Sequence, residues 1–200
     1  MPQQKTQNFR TFITSGNLRV LAGKNSDQNE QVVKQARKGE LLLHTHAPGS
    51  PFCVIKMPAS RVDSASLKEA AEFCAAFSKA FKQGSKSVEV HEFRKEDVYK
   101  TKAMPQGTFG VRKILGKFSV KPELAIGLKS EEGRGDGQKE ELQCSPPNAL
   151  DKVLLPLRYI NKAIPKEQTA TKITSALEKK GIKTSAERIM QLIPPQGFGI

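Results

Sequence analysis

A chain of 200 residues is long enough for one well-cored domain with a small extra module. Its net charge of +13 and pI near 9.8 favour polyanionic partners, nucleic acid above all. No apolar run reaches the roughly 18–20 residues of a bilayer-spanning helix. The cysteines, Cys53, Cys74 and Cys144, are far apart and support neither a disulfide framework nor a CxxC zinc site.

The N-terminus, Met1-Pro2-Gln3-Gln4-Lys5, lacks the apolar core of a signal peptide, so a cytoplasmic protein is expected. Phe9 to Thr14 and Leu18 to Ala22 flank the turn residues Ser15-Gly16-Asn17 and read as a hairpin. The second strand runs into Gly23-Lys24-Asn25. Ser26 or Asp27 is the expected cap of a helix carrying Val32, Val33 and Ala36 on one face, with Gly39 as its stop. Strand, glycine loop and helix N-terminus is an arrangement that attracts anions, and Lys24 adds a full charge. The Walker spacing is missing, and the same turn can equally be an ordinary connection.

Leu41 to His46 and Phe52 to Met57 read as strands around the turn Ala47 to Pro51. His44 and His46 are two apart and share a face. With no third ligand evident, no metal site is expected, although His91 occurs elsewhere. Ser66 with Glu69 spells a capping box ahead of a helix bearing Leu67, Ala70, Ala71, Cys74, Phe77 and Phe81, stopped by Gly84. Ser87 to Phe93 alternates as a strand.

Lys95 to Lys121 is β-like and basic, with Gly116 as an expected hairpin tip. Lys100, Lys102, Arg112 and Lys113 could track a phosphate backbone or form a solvated surface. Gly107 to Gly110 lacks a helix context and reads as a turn. Ser130 to Glu141 is an acidic, glycine-rich break, and its Arg134-Gly135-Asp136 is read as a chance tripeptide. Asn148 to Ile164 is helical in character but limited by Pro156. Lys166 to Lys180 reads as a helix stopped by Gly181, and Thr184 with Glu187 as the capping box of another. These last two could be a helix-turn-helix or a docking appendix.

The loop Gly23-Lys24-Asn25 with Gln28-Asn29-Glu30 resembles the pattern of the NFACT RNA-binding domain. So do Glu40 to His44 with Pro48-Gly49-Ser50, the Glu69-Ala70-Ala71 helix with Ser78, and the basic Val98 to Lys113 segment. The resemblance covers about Phe9 to Gly127. Leu42 stands where many members have Trp, and Pro51 where many have His. Larger members are ribosome-quality-control factors; this chain is expected to be a small, stand-alone member that carries the RNA-binding part alone.

The expected fold is α+β: a mainly antiparallel sheet packed by two helices, with a C-terminal helical appendix. Residues 1–129 are the expected RNA-binding domain, 130–147 an acidic flexible linker or loop, and 148–200 a helical extension. The expected partner is structured RNA, tRNA or ribosomal RNA, with the large ribosomal subunit behind it and no cofactor. Lys24 and the helix N-terminus would hold a phosphate on a surface formed by the two loops. Asn25, Gln28, Asn29, His44, His46 and Ser50 would surround it, and Lys100, Lys102, Arg112 and Lys113 would extend it. Two alternatives stay open: an RNA-processing or RNA-modifying enzyme using His44 and His46, and a protein-binding adaptor using the C-terminal helices.

Overall fold

The computed structural model describes residues 9–131, 139–160, 164–195 and 198–200. In it, Asn17 reverses the chain at a φ of 59°, joining β1 (Arg10–Ile13) and β2 (Arg19–Ala22) as the expected hairpin. There follow α1 (Ser26–Gln35), β3 (Glu40–Thr45), β4 (Cys53–Pro58), α2 (Ser64–Ala76) and α3 (Lys79–Lys82). Next come β5 (Val88–Arg94), β6 (Val98–Tyr99), β7 (Gly110–Val111), β8 (Gly116–Val120), β9 (Leu124–Glu131) and β10 (Lys139–Ser145). The chain ends with β11 (Lys152–Tyr159), α4 (Lys166–Glu178), α5 (Ala186–Leu192) and β12 (Phe198–Gly199). The fold is α+β, and its strand pairs are antiparallel. Among the described residues no helix is long and apolar enough to cross a membrane.

The first sheet has the order β1-β2-β4-β3-β5-β8. Its two faces are both apolar but differ in what covers them. α1 lays Val32 and Val33 over Leu42, Val54, Phe52 and Phe93. This is the core that takes Leu42 at the position where Trp is common. The opposite face, with Val20, Leu43, Ile55, Val88 and Val90, is covered by α2 and by the second sheet, β10-β9-β11-β12. Phe12 and Phe73 meet there at a ring separation of 4.6 Å. Truncating a ring so placed costs about 3–5 kcal/mol.

Several expectations are corrected by these contacts. α2 is capped by Asp63, whose carboxylate accepts the Ser66 N–H at 2.8 Å, so Ser66 and Glu69 are not a capping box. The Ser66 hydroxyl instead bonds Thr14 at 2.8 Å, and Glu69 accepts the Ser15 N–H at 2.9 Å. Both residues pin the β1–β2 turn to α2. That helix also stops earlier than its apolar spacing suggests. Ser78 restarts the chain as α3 by accepting the Phe81 N–H at 3.1 Å. α5 is capped by Ser185 rather than Thr184, through the Arg188 N–H at 3.2 Å. Gly116 is no hairpin tip; it opens β8 opposite Glu92.

The C-terminal third departs most. The boundary at residue 129 falls inside β9, and β10 occupies most of the expected linker's second half. Residues 132–138, with the Arg134-Gly135-Asp136 tripeptide, lie outside the described residues. The stretch around Pro156 is a strand. Leu155 and Leu157 point inward, and β12 pairs only Arg158 and Tyr159, so Pro156 sits beyond that ladder, where its missing N–H is tolerated. α4 and α5 bury Ala170, Ile173, Leu177 and Ile189 in the same core as Phe12 and Phe73. The extension is therefore packed into the protein. Gln143 on β10 completes the join: its side chain accepts the Ile13 N–H at 2.9 Å and donates to the Ile13 carbonyl at 3.1 Å.

Candidate nucleic-acid interface

The loop from Gly23 to Asn25 is built around close approach. A Cβ on Gly23 would stand 2.2 Å from Asn29 Oδ1 and 2.7 Å from the Asn29 backbone nitrogen. Asn25, not Ser26 or Asp27, caps α1: its Oδ1 accepts the Gln28 N–H at 2.9 Å. Gln28 returns the contact, accepting the Lys24 N–H at 3.0 Å. Asn25 and Gln28 thus satisfy donors that the loop was expected to offer an anion. The Lys24 ammonium reaches Gln191 of α5 at 2.9 Å. Burial first, then Arg10 and Arg188, lower its pKa.

Asn29 links the two loops. Its Oδ1 accepts the Phe52 N–H at 3.0 Å, and its amide donates to the Ser50 carbonyl at 3.5 Å. The turn from His46 to Pro51 is tied internally as well. The buried Ser50 hydroxyl accepts the Thr45 N–H at 3.0 Å and donates to the Pro51 carbonyl at 3.2 Å, so it is a structural group here. Glu40, the acid of the family pattern, is buried too and accepts the Arg37 N–H at 2.9 Å and the Lys56 ammonium at 2.5 Å.

Between this turn and the basic segment lies a cleft of about 420 Å³. Its floor is aromatic. His44 stacks against Phe52 at 4.5 Å, and Phe109 meets Phe52 edge-on at 5.2 Å. His44 Nδ1 lies 2.7 Å from the Thr45 carbonyl and therefore donates to it. Burial holds this imidazole below its ordinary pKa, so the ring is neutral at pH 7. His46 and His91 line the rim. His46 is exposed, and its ring lies 5.1 Å from that of His91.

The far wall is the loop between β6 and β7, strapped onto the first turns of α1. Gly107, at a φ of 76°, lies where a Cβ would meet Ser26 Cα at 2.8 Å. Glu30 accepts the Gly107 N–H at 3.2 Å and also bonds the Lys100 ammonium; Gln106 bonds Asp27. Lys100 lies over Phe109 at 5.1 Å and donates to the Pro105 carbonyl at 3.0 Å. Its charge is thus engaged in holding the wall. Lys102 and Lys113 are exposed, and the Arg112 guanidinium lies over Tyr99 at 5.2 Å. Lys117 on β8 stands opposite His91.

Of the expected residues, Asn29, His44, His46 and Ser50 line the cleft; Lys102 lies on the β6–β7 loop that forms its wall, while Arg112 and Lys113 follow β7 and are outside the lining. Lys24 belongs elsewhere, to a cationic cluster with Arg10, Arg188 and Lys166, whose pKa is lowered to about 8 by burial and by Arg10 and Lys24. Sequence reasoning missed Arg10, which donates to the Gly23 carbonyl at 2.8 Å and stacks over Phe77 at 4.6 Å. It also missed Phe52 and Phe109 as cleft residues; their places flanking the Pro48-Gly49-Ser50 and Gly107 turns were the available signal.

Residues 8–113 match the family model described as the NFACT protein RNA binding domain. Over 202 aligned positions the chain is 26% identical to the archaeal Rqc2 homolog aRqcH of Methanocaldococcus jannaschii, a match covering 97% of this chain and 29% of that protein. The chain thus spans under a third of that relative's length. The solved C-terminal structure of the fibronectin/fibrinogen-binding protein from Streptococcus suis is similar, with a TM-score of 0.52 and 29% identity. That likeness covers 57% of this chain and 45% of the other. Each residue lining the cleft falls within 8–113, and the chain belongs to the NFACT protein RNA binding domain family.

Proposed function

We propose that the chain binds structured RNA, tRNA or ribosomal RNA, through the cleft between the His46 to Pro51 turn and the β6–β7 loop. The reading rests on one observation above others: the family-pattern residues His44, Pro48, Gly49, Ser50 and Gly107 all line one cleft with an aromatic floor. An unstacked base fits such a floor, lying against the partly buried Phe109, which the buried Phe52 backs, and bonding to His44 or main-chain groups. Lys102, Arg112 and Lys113 are exposed on the same basic segment and Lys117 lies opposite His91 of the cleft; these are the charges we assign to flanking phosphates. The long alignment with an Rqc2 homolog supports a place in cytoplasmic ribosome-associated quality control, with the large ribosomal subunit as the wider partner.

The test is the salt dependence of affinity for tRNA and for ribosomal RNA fragments. Binding should weaken steeply with salt. The triple change Lys102→Ala, Arg112→Ala, Lys113→Ala should flatten the slope by about 0.7–0.9 for each phosphate that is no longer neutralised. Binding that is absent, or a slope unmoved by the triple change, overturns the reading.

A further inference from the structure

We propose that His46, Glu89 and His91 form a binding site for a divalent transition cation of the zinc class. The strand register builds it. β3 and β5 run antiparallel with His44 opposite His91. The ladder continues one step further, where the His46 N–H donates to the Glu89 carbonyl at 2.8 Å. Alternation along both strands then puts His46, Glu89 and His91 on one face.

The donor atoms are already close. His91 Nε2 is 2.6 Å and His46 Nδ1 3.8 Å from the same Glu89 oxygen, and all three atoms lie within 4.8 Å of one another. A cation bound at 2.0–2.1 Å in tetrahedral geometry separates its ligands by about 3.3 Å. Small side-chain rotations reach that spacing. Most of the adjustment falls to His46, which is 71% exposed, whereas the His91 side chain is only 13% exposed and held in place. Two imidazoles and one carboxylate form a donor set suited to zinc, cobalt or nickel rather than to magnesium or calcium. One carboxylate lowers the net charge of the bound ion, while Lys117 opposite His91 opposes it. Because His46 and His91 line the cleft, the remaining coordination position opens at its mouth. A bound ion would clamp the His46 to Pro51 turn to β5. This goes beyond RNA binding, since the three ligands hold the ion without RNA.

The experiment uses the untagged chain without RNA. Cobalt(II) is titrated while the visible ligand-field bands are recorded, and zinc is then added to displace it. The expected result is one cobalt per chain, released by zinc, with affinity falling at least about tenfold in each of His46→Ala, Glu89→Gln and His91→Ala. Circular dichroism of the His46→Ala protein should match the parent, because that side chain is exposed. Unsaturable binding, binding unchanged in His46→Ala, or intense thiolate charge-transfer bands pointing to the cysteines would each overturn the site. RNA affinity measured in chelator tests the RNA reading separately, so the two can fail independently.

Discussion

Asn29 Oδ1 accepts the Phe52 N–H at 3.0 Å, so the aromatic floor of the cleft hangs from α1. Asn29→Ala leaves that N–H without its partner and should destabilise the fold by about 1–3 kcal/mol in urea unfolding. Asn29→Asp keeps the acceptor and should lose less. Equal losses in the two variants would mean that this bond is not what holds Phe52.

Lys100 and Lys102 are two residues apart and should behave differently. Lys100 bonds Glu30 and the Pro105 carbonyl, while Lys102 is exposed. Lys102→Ala should lower the salt slope of RNA binding by up to about 0.9. Lys100→Ala should leave the slope nearly unchanged and make the 101–109 loop more susceptible to limited proteolysis. A reversed pattern would place Lys100, not Lys102, on the phosphates.

Phe109→Ala removes one aromatic face of the cleft. RNA affinity should fall by about 1–3 kcal/mol with an unaltered salt slope, the signature of weakened stacking rather than of missing charge. Affinity equal to that of the parent would remove Phe109 from the interface.

The strap over α1 has a defined acid limit. The bond from Lys100, followed by that from the Gly107 N–H, holds the Glu30 carboxyl at about 2, against an ordinary 4.5. An acid depressed on folding contributes stability that is complete above its unfolded pKa and disappears as pH falls through the folded one. The Gly107 amide resonance should therefore keep its shift down to about pH 3 and move below it. Movement centred near 4.5 would show that Glu30 is not bonded in solution.

The first half of the fold was legible because its signals are local. The Asn17 turn, the β3–β4 turn and the valines of α1 are decided by neighbouring residues. The β10 and β11 strands were not, because acidic composition and an apolar run around Pro156 suggest linker and helix until a partner strand is in place. At the site, residue types were readable but their duties were not. Asn25, Gln28 and Ser50 are polar residues in loops, and only the fold shows that their hydrogen bonds are made within the protein. His46, Glu89 and His91 come together through register between strands more than forty residues apart in sequence, which no local pattern encodes.

The Gln143 amide that grips both polar groups of Ile13 also guards a vulnerable border. β1 is the outermost strand of its sheet, and an unpaired strand margin is a template for joining to another copy of the chain. With Gln143 in place, an incoming strand finds the Ile13 donor and acceptor already taken. Gln143 lies beyond the family-matched segment, so a protein cut back to residue 129 loses this cover together with the apolar partners of its first sheet, and light scattering should find it self-associating.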